Sequence, residues 1–380
     1  MKIFYWAPFL SNIATVDAVL KSISSINKYD NKKEFETYII DSVGEWSQND
    51  IRFKKINIKK IYKKDIYKLL PKGSFLKSRT SQMIIFIKSL FNLKKIILEE
   101  VPDYFIAHLV ISLPLLLFSI FSFKTRLIIR ISGTPKLNFL RKFFWRLCSK
   151  KVYKVTCPTF STYKTLKKLK IFTDDKLEIL FDPIISVKEI NKQKNEKIDP
   201  KLRNDNYILG IGRLTKQKNF QLLIKAFSVI SKKEPDLKLI ILGEGEDRNK
   251  LEKLAIDLSV GDKVSLIGYK SNVFNYLHNA KCFISSSLYE DPGFVIIEAG
   301  FLNKIVFAAD SKTGPSEILE MSKRGILYEN KNYEDLVKKF FDFMNLDDVK
   351  LNEKKHNLKK YSSNFTSFTH FKNLRRILVD

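Results

Sequence analysis

Short apolar or β-branched runs alternate with helix-like patterns from one end of the chain to the other. The candidate strands are 2–7, 37–43, 104–109, 126–131, 151–157 and 177–181 in the first half, and 207–211, 237–242, 264–268, 282–286, 305–309 and 325–328 in the second. Between the first two, apolar residues recur at helical spacing and form one stripe. Strands that alternate with helices are typical of parallel sheets covered by helices, so the pattern predicts an α/β protein.

The alternation stops once, in a polar and highly charged stretch from 187 to 205 that contains Pro200. Such a stretch predicts a linker. A chain of 380 residues also exceeds the size, about 250–300 residues, at which one hydrophobic core stops growing. We therefore expect a first domain over 1–186, a second over 206–361, and a final helix over 362–380 that packs back on the first domain.

The composition, 44% hydrophobic and 29% charged, is that of a globular chain. The N-terminal residues do not have the pattern of a signal peptide. The longest apolar run, 113–123, is shorter than the about 20 residues that a membrane-spanning helix needs. Three scattered cysteines predict neither a disulfide framework nor a zinc site. These observations predict a cytoplasmic protein.

The net charge of +27 is compatible with nucleic acid, an anionic membrane or a phosphate-bearing substrate as partner. Coding bias toward lysine is an alternative explanation. No nucleic-acid-binding motif accompanies the charge, so a nucleic-acid partner is not expected. Two segments, 70–95 and 136–170, mix basic residues with apolar and aromatic ones, which favours contact with an anionic membrane surface. Ordinary core helices would have the same pattern.

Two glycine-containing loops follow strands of the second half. In the first, Gly212, Arg213 and Lys218 precede a helix whose predicted N-cap is Asn219. Two cations beside a helix N-terminus predict an anion site, although an exposed turn is the alternative. In the second loop, Gly243 opens a strand-to-helix turn, a feature common to all α/β folds.

Two carboxylates stand eight positions apart in the segment 285–304. Glu290 follows a strand, whereas Glu298 lies inside the next helix, a turn or more further along. This offset predicts that they act on different atoms: Glu290 near a reacting centre and Glu298 on a hydroxylated group such as a ribose. A carboxylate beside so much apolar surface needs a partner, and a salt bridge is the alternative. Gly293, Phe294 and Val295 lie between the two carboxylates in the sequence.

Together these motifs resemble glycosyltransferase family 4, whose members have the GT-B fold of two facing Rossmann-like domains. The family's Gly-Arg-Leu, Lys and Glu-x7-Glu pattern is matched by Arg213, Lys218, Glu290 and Glu298. The resemblance implies that Arg213 and Lys218 stabilise the departing diphosphate, that Glu290 contacts the transferred sugar and that Glu298 holds the ribose. The other residues that it assigns to donor binding are Gly212, Gly243, Gly293, Phe294 and Val295. It also implies retention of anomeric configuration, no cofactor and no metal. The absence of any Asp-x-Asp motif from the sequence agrees with the last point.

The first half matches the family less closely. Family members have a glycine pair after the first strand, where this chain has none; Ser11, Asn12 and Thr15 are the candidates there for contacting the diphosphate. His108 resembles the family's cleft histidine, with a core histidine as the alternative. Arg130 ends a strand and is expected on the acceptor side.

The expected activity is a retaining hexosyl transfer from a UDP- or GDP-linked sugar to a glycan acceptor carried on polyprenyl diphosphate. The expected setting is bacterial surface polysaccharide synthesis, O-antigen or capsule, at the inner face of the cytoplasmic membrane. A sugar-nucleotide epimerase of GT-B fold and a basic nucleic-acid-binding protein remain alternatives.

Overall fold

The structure, a computed structural model, describes residues 1–10, 14–48, 56–62, 65–71, 75–131, 133, 135, 137–198, 206–290, 292–311 and 314–379. The chain divides into two compact units. Unit 1 comprises Met1–Pro183 together with Ser367–Asp380, and unit 2 comprises Ile184–Thr366.

Unit 1 contains a seven-stranded parallel sheet. Its strands are β1 (Lys2–Trp6), β2 (Glu36–Asp41), β3 (Ile58–Lys60), β4 (Tyr104–Ala107), β5 (Arg126–Arg130), β6 (Val152–Cys157) and β7 (Leu177–Ile179). Its first helices are α1 (Ala14–Tyr29), α2 (Phe75–Glu100), α3 (Ser112–Ile120), α4 (Phe139–Ser149) and α5 (Phe160–Leu169). The spatial order is β3-β2-β1-β4-β5-β6-β7, so the direction of strand addition reverses between β1 and β4.

Successive residues of β1 enter different cores, as the alternation of side chains in a strand requires. Phe4 and Trp6 pack in the core on one face of the sheet, whereas Ile3 and Tyr5 pack in the core on the other. Both faces are therefore covered, which is why the central strands are continuously apolar.

Strand β3 was not predicted, because only one of its three residues is apolar. It pairs in parallel with the end of β2, where Ile58 lies beside Ile39. The Nζ of Lys59 lies 2.5 Å from a carboxylate oxygen of Glu100 on α2. This edge strand thus depends on contacts with residues distant in sequence.

Unit 2 contains a six-stranded parallel sheet. Its strands are β8 (Tyr207–Ile211), β9 (Lys238–Leu242), β10 (Val264–Gly268), β11 (Cys282–Ser285), β12 (Val306–Ala309) and β13 (Ile326–Tyr328). Its helices are α6 (Val187–Gln193), α7 (Phe220–Lys233), α8 (Arg248–Asp257), α9 (Phe274–Asn279), α10 (Phe294–Phe301), α11 (Gly314–Leu319), α12 (Tyr333–Met344) and α13 (Asp348–Ser362). The order β10-β9-β8-β11-β12-β13 reverses between β8 and β11.

The stretch 187–205, interpreted from sequence as a linker, begins inside unit 2. Its first residues form α6, which buries Ile190, and Ile198 beyond the helix is buried as well. The side-chain amide of Asn272 donates to the carbonyl of Gln193 at 2.9 Å and fixes the end of α6. Residues 199–205 lie outside the described residues.

Asn219 stands at the N-cap of α7, but its side chain makes no capping hydrogen bond. Its backbone has a φ of 50°, in the left-handed region that asparagine tolerates better than most residues. The predicted position was therefore right, whereas the predicted capping interaction was wrong.

The last helix, α14 (Ser367–Val379), belongs to unit 1 and packs on α1. It buries Leu374 and Ile377 in the same core as Ile3 of β1. His370 contributes polar contacts: Nδ1 lies 2.7 Å from the carbonyl oxygen of Phe181 and Nε2 lies 2.8 Å from Oγ of Ser22. Unit 1 is thus built from both ends of the chain.

Candidate active site

The switch in strand order between β8 and β11 marks where an open α/β sheet binds ligands, beyond the carboxyl ends of the strands. The loop after β8 carries Gly212, Arg213 and Lys218. The amide of Gly212 donates to the carbonyl of Leu242 at 2.9 Å, so the loop follows β9 beyond the regular sheet. Arg213 is exposed, and its side chain has no hydrogen-bond or ion-pair partner among the described residues.

Gly243 makes this arrangement possible. A Cβ atom at this position would lie 1.9 Å from the carbonyl oxygen of Gly212, and the backbone φ of 146° is one that side chains disfavour. Only glycine lets the loops after β8 and β9 approach this closely. The predicted tight turn therefore fixes the backbone on which Arg213 stands.

Lys218 and Glu290 form an ion pair between the loop after β8 and the loop after β11. The lysine side chain is 19% exposed and the glutamate side chain 14%. Ser287 donates its hydroxyl to the same carboxylate oxygen, Oε1, at 2.7 Å. The pair is thus largely shielded from water while one edge remains accessible.

Backbone contacts hold the two loops together around this pair. The hydroxyl of Ser286 donates to the carbonyl of Lys218 at 2.8 Å, and the amide of Leu288 donates to the carbonyl of Gln217 at 2.9 Å. The side chain of Asn330 donates to the carbonyl of Leu288 at 2.9 Å. Sequence patterns did not identify Ser286, Ser287, Gln217 or Asn330. The available signal was the run of three serines, 285–287, at the end of β11.

Helix α10 begins beside Glu290. Gly293 is its N-cap with a φ of 96°, and Phe294 and Val295, both half-buried, form its first turn. Glu298 lies four residues after Phe294 and is half-buried. The unpaired amides of a helix N-terminus attract negative charge, so this end of α10 adds to the positive character of Arg213 and Lys218.

The loop after β12 closes against the same place. A Cβ atom on Gly314 would lie 2.0 Å from the carbonyl oxygen of Pro292 and 3.0 Å from that of Glu290. Ser311 has a buried Oγ with no hydrogen-bond partner among the described residues. The start of α11 thus packs directly on the backbone that carries Glu290.

His108 follows β4 at the strand switch of unit 1, and its amide donates to the carbonyl of Trp6 at 2.8 Å. Burial, followed by the positive charges of Arg130 and His370, holds the pKa of His108 well below its usual value. Its Nδ1 is a buried atom without a hydrogen-bond partner among the described residues. His108 is therefore neutral near pH 7 and can exchange hydrogen bonds but not supply charge.

Arg130, at the end of β5, makes a buried bidentate ion pair with Asp182. The Nε and Nη2 atoms donate to Oδ1 at 3.1 and 2.8 Å, and each side chain is 6% exposed. Thr15 lies half-buried at the start of α1, while Ser11 and Asn12 lie outside the described residues. The guanidinium of Arg130 is thus committed to an internal partner.

Within the described ranges, no group of three or more His, Cys, Asp or Glu side chains could hold a metal ion. Cys148, Cys157 and Cys282 are buried thiols. Among the residues that the structure describes, the candidate site offers an exposed guanidinium, an ammonium paired with a carboxylate, a second carboxylate on α10 and a helix N-terminus.

Residues 191–365 match the profile of the family "Glycosyl transferases group 1". A glycosyltransferase of uncharacterised function from Methanocaldococcus jannaschii is 40% identical over 140 residues, 36% of this chain and 34% of that protein. The N-acetylgalactosamine-N,N'-diacetylbacillosaminyl-diphospho-undecaprenol 4-alpha-N-acetylgalactosaminyltransferase of Campylobacter jejuni is 31% identical over 220 residues, 56% of this chain and 58% of that protein. The chain matches less than two thirds of the length of either relative.

Solved structures resemble the whole chain. A glycosyltransferase from Rickettsia africae has a TM-score of 0.73 at 17% identity, covering 100% of this chain and 98% of that one. Anabaena HepE in complex with UDP has a TM-score of 0.71 at 14% identity, covering 100% of both chains. At such identities the likeness concerns the fold, and it confirms the predicted GT-B class with its two parallel sheets.

Proposed function

We propose that this chain, which residues 191–365 place in glycosyl transferases group 1, transfers a sugar from a nucleotide-sugar donor to a glycan acceptor with retention of configuration and without a metal. The observation that carries the proposal is the Lys218–Glu290 pair at the strand switch of unit 2. It sets a cation and a carboxylate side by side next to the N-terminus of α10.

The donor is a UDP- or GDP-linked sugar bound by unit 2. Arg213, Lys218 and the amides that begin α10 together form a cationic cradle for a diphosphate. In this proposal Glu298, further along α10, accepts hydrogen bonds from ribose hydroxyls, and Glu290 orients the transferred sugar. The UDP bound to Anabaena HepE, a protein of the same fold, favours a UDP-linked donor.

The cradle lowers the barrier through charge. As the glycosidic bond to phosphate breaks, negative charge gathers on the leaving diphosphate while the sugar becomes cationic. Lys218 and Arg213 stabilise the negative charge on the diphosphate. Glu290, the ion-pair partner of Lys218, stabilises the positive charge on the sugar. Gly243 and Gly314 hold the two loops in place beforehand, so little reorganisation is needed during the reaction.

The acceptor is a glycan carried on a lipid diphosphate, made for a bacterial surface polysaccharide such as O-antigen or capsule. The Campylobacter relative, matched over 56% of this chain, is named for a diphospho-undecaprenol acceptor. A hydrophobic carrier of this kind requires the enzyme to work at a membrane surface.

The donor proposal is tested by differential scanning fluorimetry with a panel of UDP- and GDP-sugars, each with magnesium and with EDTA. One nucleotide class is expected to raise the melting temperature equally under both conditions. Glu298→Ala is expected to lose most of this shift, because it removes the carboxylate that accepts hydrogen bonds from the ribose. A melting temperature of the ligand-free variant close to that of the ligand-free wild type would show that the variant is folded.

Glu320→Ala is the matched control: Glu320 is an exposed glutamate of unit 2 that pairs with Arg324 at 2.7 Å. It should keep the wild-type shift. No shift with any nucleotide-sugar, together with a shift by oligonucleotides, would contradict the glycosyltransferase assignment and favour a nucleic-acid-binding protein.

Association with the inner face of the membrane belongs to the same proposal. Within the described residues no helix is both long and apolar enough to cross a bilayer. The contact that we propose is peripheral. A net charge of +27 favours anionic lipid. The protein should sediment with vesicles of phosphatidylglycerol and phosphatidylcholine and detach as salt is raised. Equal sedimentation with anionic and with purely phosphatidylcholine vesicles would contradict the proposed membrane contact. So would a protein that sediments with neither kind of vesicle.

A further inference from the structure

An open groove of about 800 Å³ lies in unit 1 at the amino ends of three neighbouring strands, β5, β6 and β7. The last turn of α14 adds Arg376 and Ile377 to its lining. We call it the amino-edge groove. His108 and Arg130 lie at the opposite edge of the sheet, since they follow β4 and end β5. The residues of β5 span about 13 Å at roughly 3.3 Å per residue, so a ligand in the groove would leave the carboxyl edge free.

The amino-edge groove is strongly basic. Among the described residues that line it, two are acidic, Asp175 and Glu178. Seven are basic: Lys124, Arg126, Lys150, Lys151, Lys154, Lys176 and Arg376. A concave surface lined by charges of one sign concentrates ions of the opposite sign, so the groove favours an anion.

Three of the seven cations are already engaged within the protein. The carboxylate of Glu178 accepts hydrogen bonds from Lys154 at 3.2 Å and from Arg376 at 2.9 Å. The ammonium of Lys176 donates to two backbone carbonyl groups at the end of α4, at 2.9 and 3.2 Å. These contacts hold the groove together and occupy one of its two carboxylates, so they do not neutralise the remaining cations.

The ammonium groups of Lys124, Lys150 and Lys151 are the cations that stay available. All three side chains are exposed, and none has a hydrogen-bond or ion-pair partner among the described residues. They come from two places in the chain, the turn before β5 and the turn between α4 and β6. The exposed carboxylate of Asp175 offsets only part of their charge, so the groove keeps an excess of positive charge.

Arg126 adds a guanidinium that is held in place without being neutralised. Its Nη1 donates to the phenol oxygen of Tyr104 at 3.0 Å, and its guanidinium carbon lies 5.0 Å from the centre of the Tyr153 ring. The ring of Phe123 packs on Phe118, with centroids 4.7 Å apart. The aromatic rings that line the described part of the groove are thus engaged internally, whereas a single-stranded nucleic acid needs open rings on which its bases stack.

The apolar side chains of the groove are not available to a membrane. Leu127, Val152 and Ile377 line the groove and are buried. No large apolar side chain among its described lining residues is exposed. Segments that lie on a bilayer present exposed apolar residues to it, so the groove fits a soluble anionic ligand better than a membrane surface.

We propose that the amino-edge groove is a second binding site for an acidic glycan, whose carboxylate or phosphate groups are bound by Lys124, Arg126, Lys150 and Lys151. Lysine and arginine bind such groups through charge-assisted hydrogen bonds that need no stacking. The choice of a glycan rests on the proposed glycosyl transfer. The site itself goes beyond that transfer, because it would hold a part of the glycan chain distant from the sugar that receives the next residue.

The test is fluorescence anisotropy of the full chain with labelled octagalacturonate, with its fully methyl-esterified form and with a single-stranded oligothymidylate of the same charge. Octagalacturonate should bind at least about tenfold more tightly than the ester, because the two differ only in charge. It should also bind more tightly than the oligonucleotide. Equal binding of the ester would overturn the proposal, and tighter binding of the oligonucleotide would assign the groove to nucleic acid instead.

A double variant, Lys150→Gln with Lys151→Gln, should weaken octagalacturonate binding about tenfold or more, because it removes two charge-assisted contacts. The matched control is Lys164→Gln with Lys168→Gln, which removes two exposed lysines of α5 that are not among the groove residues. The control should stay within about twofold of wild type. Equal losses in the two double variants would show attraction to general positive charge and overturn the proposal.

A further variant separates the two edges of the sheet. Arg141 lines a cavity beyond the carboxyl ends of β4 and β5. Arg141→Gln should keep the octagalacturonate affinity within about twofold of wild type, because the glycan is bound at the amino edge. A loss as large as that of the Lys150 and Lys151 double variant would place the glycan at the carboxyl edge and overturn the proposal.

Failure of this proposal is distinguishable from failure of the proposed function, because the anisotropy measurement contains no donor. Nucleotide-sugars that stabilise a protein to which octagalacturonate does not bind would overturn the groove assignment alone. Glycan binding that depends on Lys150 and Lys151, in a protein that ignores every nucleotide-sugar, would support the groove and overturn the glycosyl transfer.

Discussion

Lys218→Ala is expected to lower kcat by about 10²–10³-fold, the cost of removing one preorganised group that stabilises transition-state charge. The lysine is only 19% exposed and is held beside Glu290 by an ion pair, so its ammonium group is already fixed in the site. Because the charge on the leaving diphosphate grows as the bond breaks, kcat should fall more than donor affinity does. The measurement is the rate of nucleoside diphosphate release from the donor that the binding panel identifies.

Lys216→Ala is the matched control, since Lys216 is an exposed lysine of the same loop. It should retain activity within about twofold of wild type, because exposed surface substitutions have small effects. A double variant with Glu290→Gln should cost less than the sum of the two single changes, as for residues that act as one unit. Equal losses in Lys216→Ala and Lys218→Ala would mean that the loop contributes only general positive charge.

Asp182→Ala is expected to lower the free energy of unfolding of unit 1 by about 3–5 kcal/mol, the cost of leaving a buried charge without its partner. Arg130 and Asp182 are each 6% exposed and share two guanidinium-to-carboxylate hydrogen bonds on Oδ1. Water cannot replace the carboxylate at so enclosed a site without local opening.

Tryptophan fluorescence during urea unfolding measures this loss selectively. Trp6, Trp46 and Trp145 are the three tryptophans of the chain, and all lie in unit 1. Replacing both partners, as Arg130→Met with Asp182→Leu, should restore most of the stability, because an apolar pair leaves no charge buried. A loss below about 1 kcal/mol in Asp182→Ala would mean that Arg130 reaches water or another acceptor.

Much of the fold could be predicted because most of its strands are short, nearly continuous apolar runs that are buried on both faces. Predicted strands 207–211 and 264–268 match β8 and β10 residue for residue, and the others differ from the structure by at most a few terminal residues. Strand β3 escaped prediction because its pairing with β2 and its ion pair with Glu100 are long-range. The family resemblance inferred from Arg213, Lys218, Glu290 and Glu298 is confirmed by the profile match.

The candidate site was predicted as a set of residues but not as an arrangement. Lys218 and Glu290 are 72 positions apart, and nothing local indicates that their side chains meet. Asp182 gave no signal as the partner of Arg130, because the two residues are 52 positions apart. The catalytic roles of Lys218 and Glu290 stay predictions until the substitutions are measured.

Because α14 belongs to unit 1, the sequence of unit 2 is complete before that of unit 1 during translation. The ribosome must translate residues 184–366 before the helix that completes the first unit exists, a delay of about 10–40 s at roughly 5–20 residues per second. During that time the α1 face that receives Leu374 and Ile377 stays uncovered, while unit 2 already has its whole sequence. A stop codon that removes α14 would therefore damage unit 1, although most of that unit is translated before unit 2.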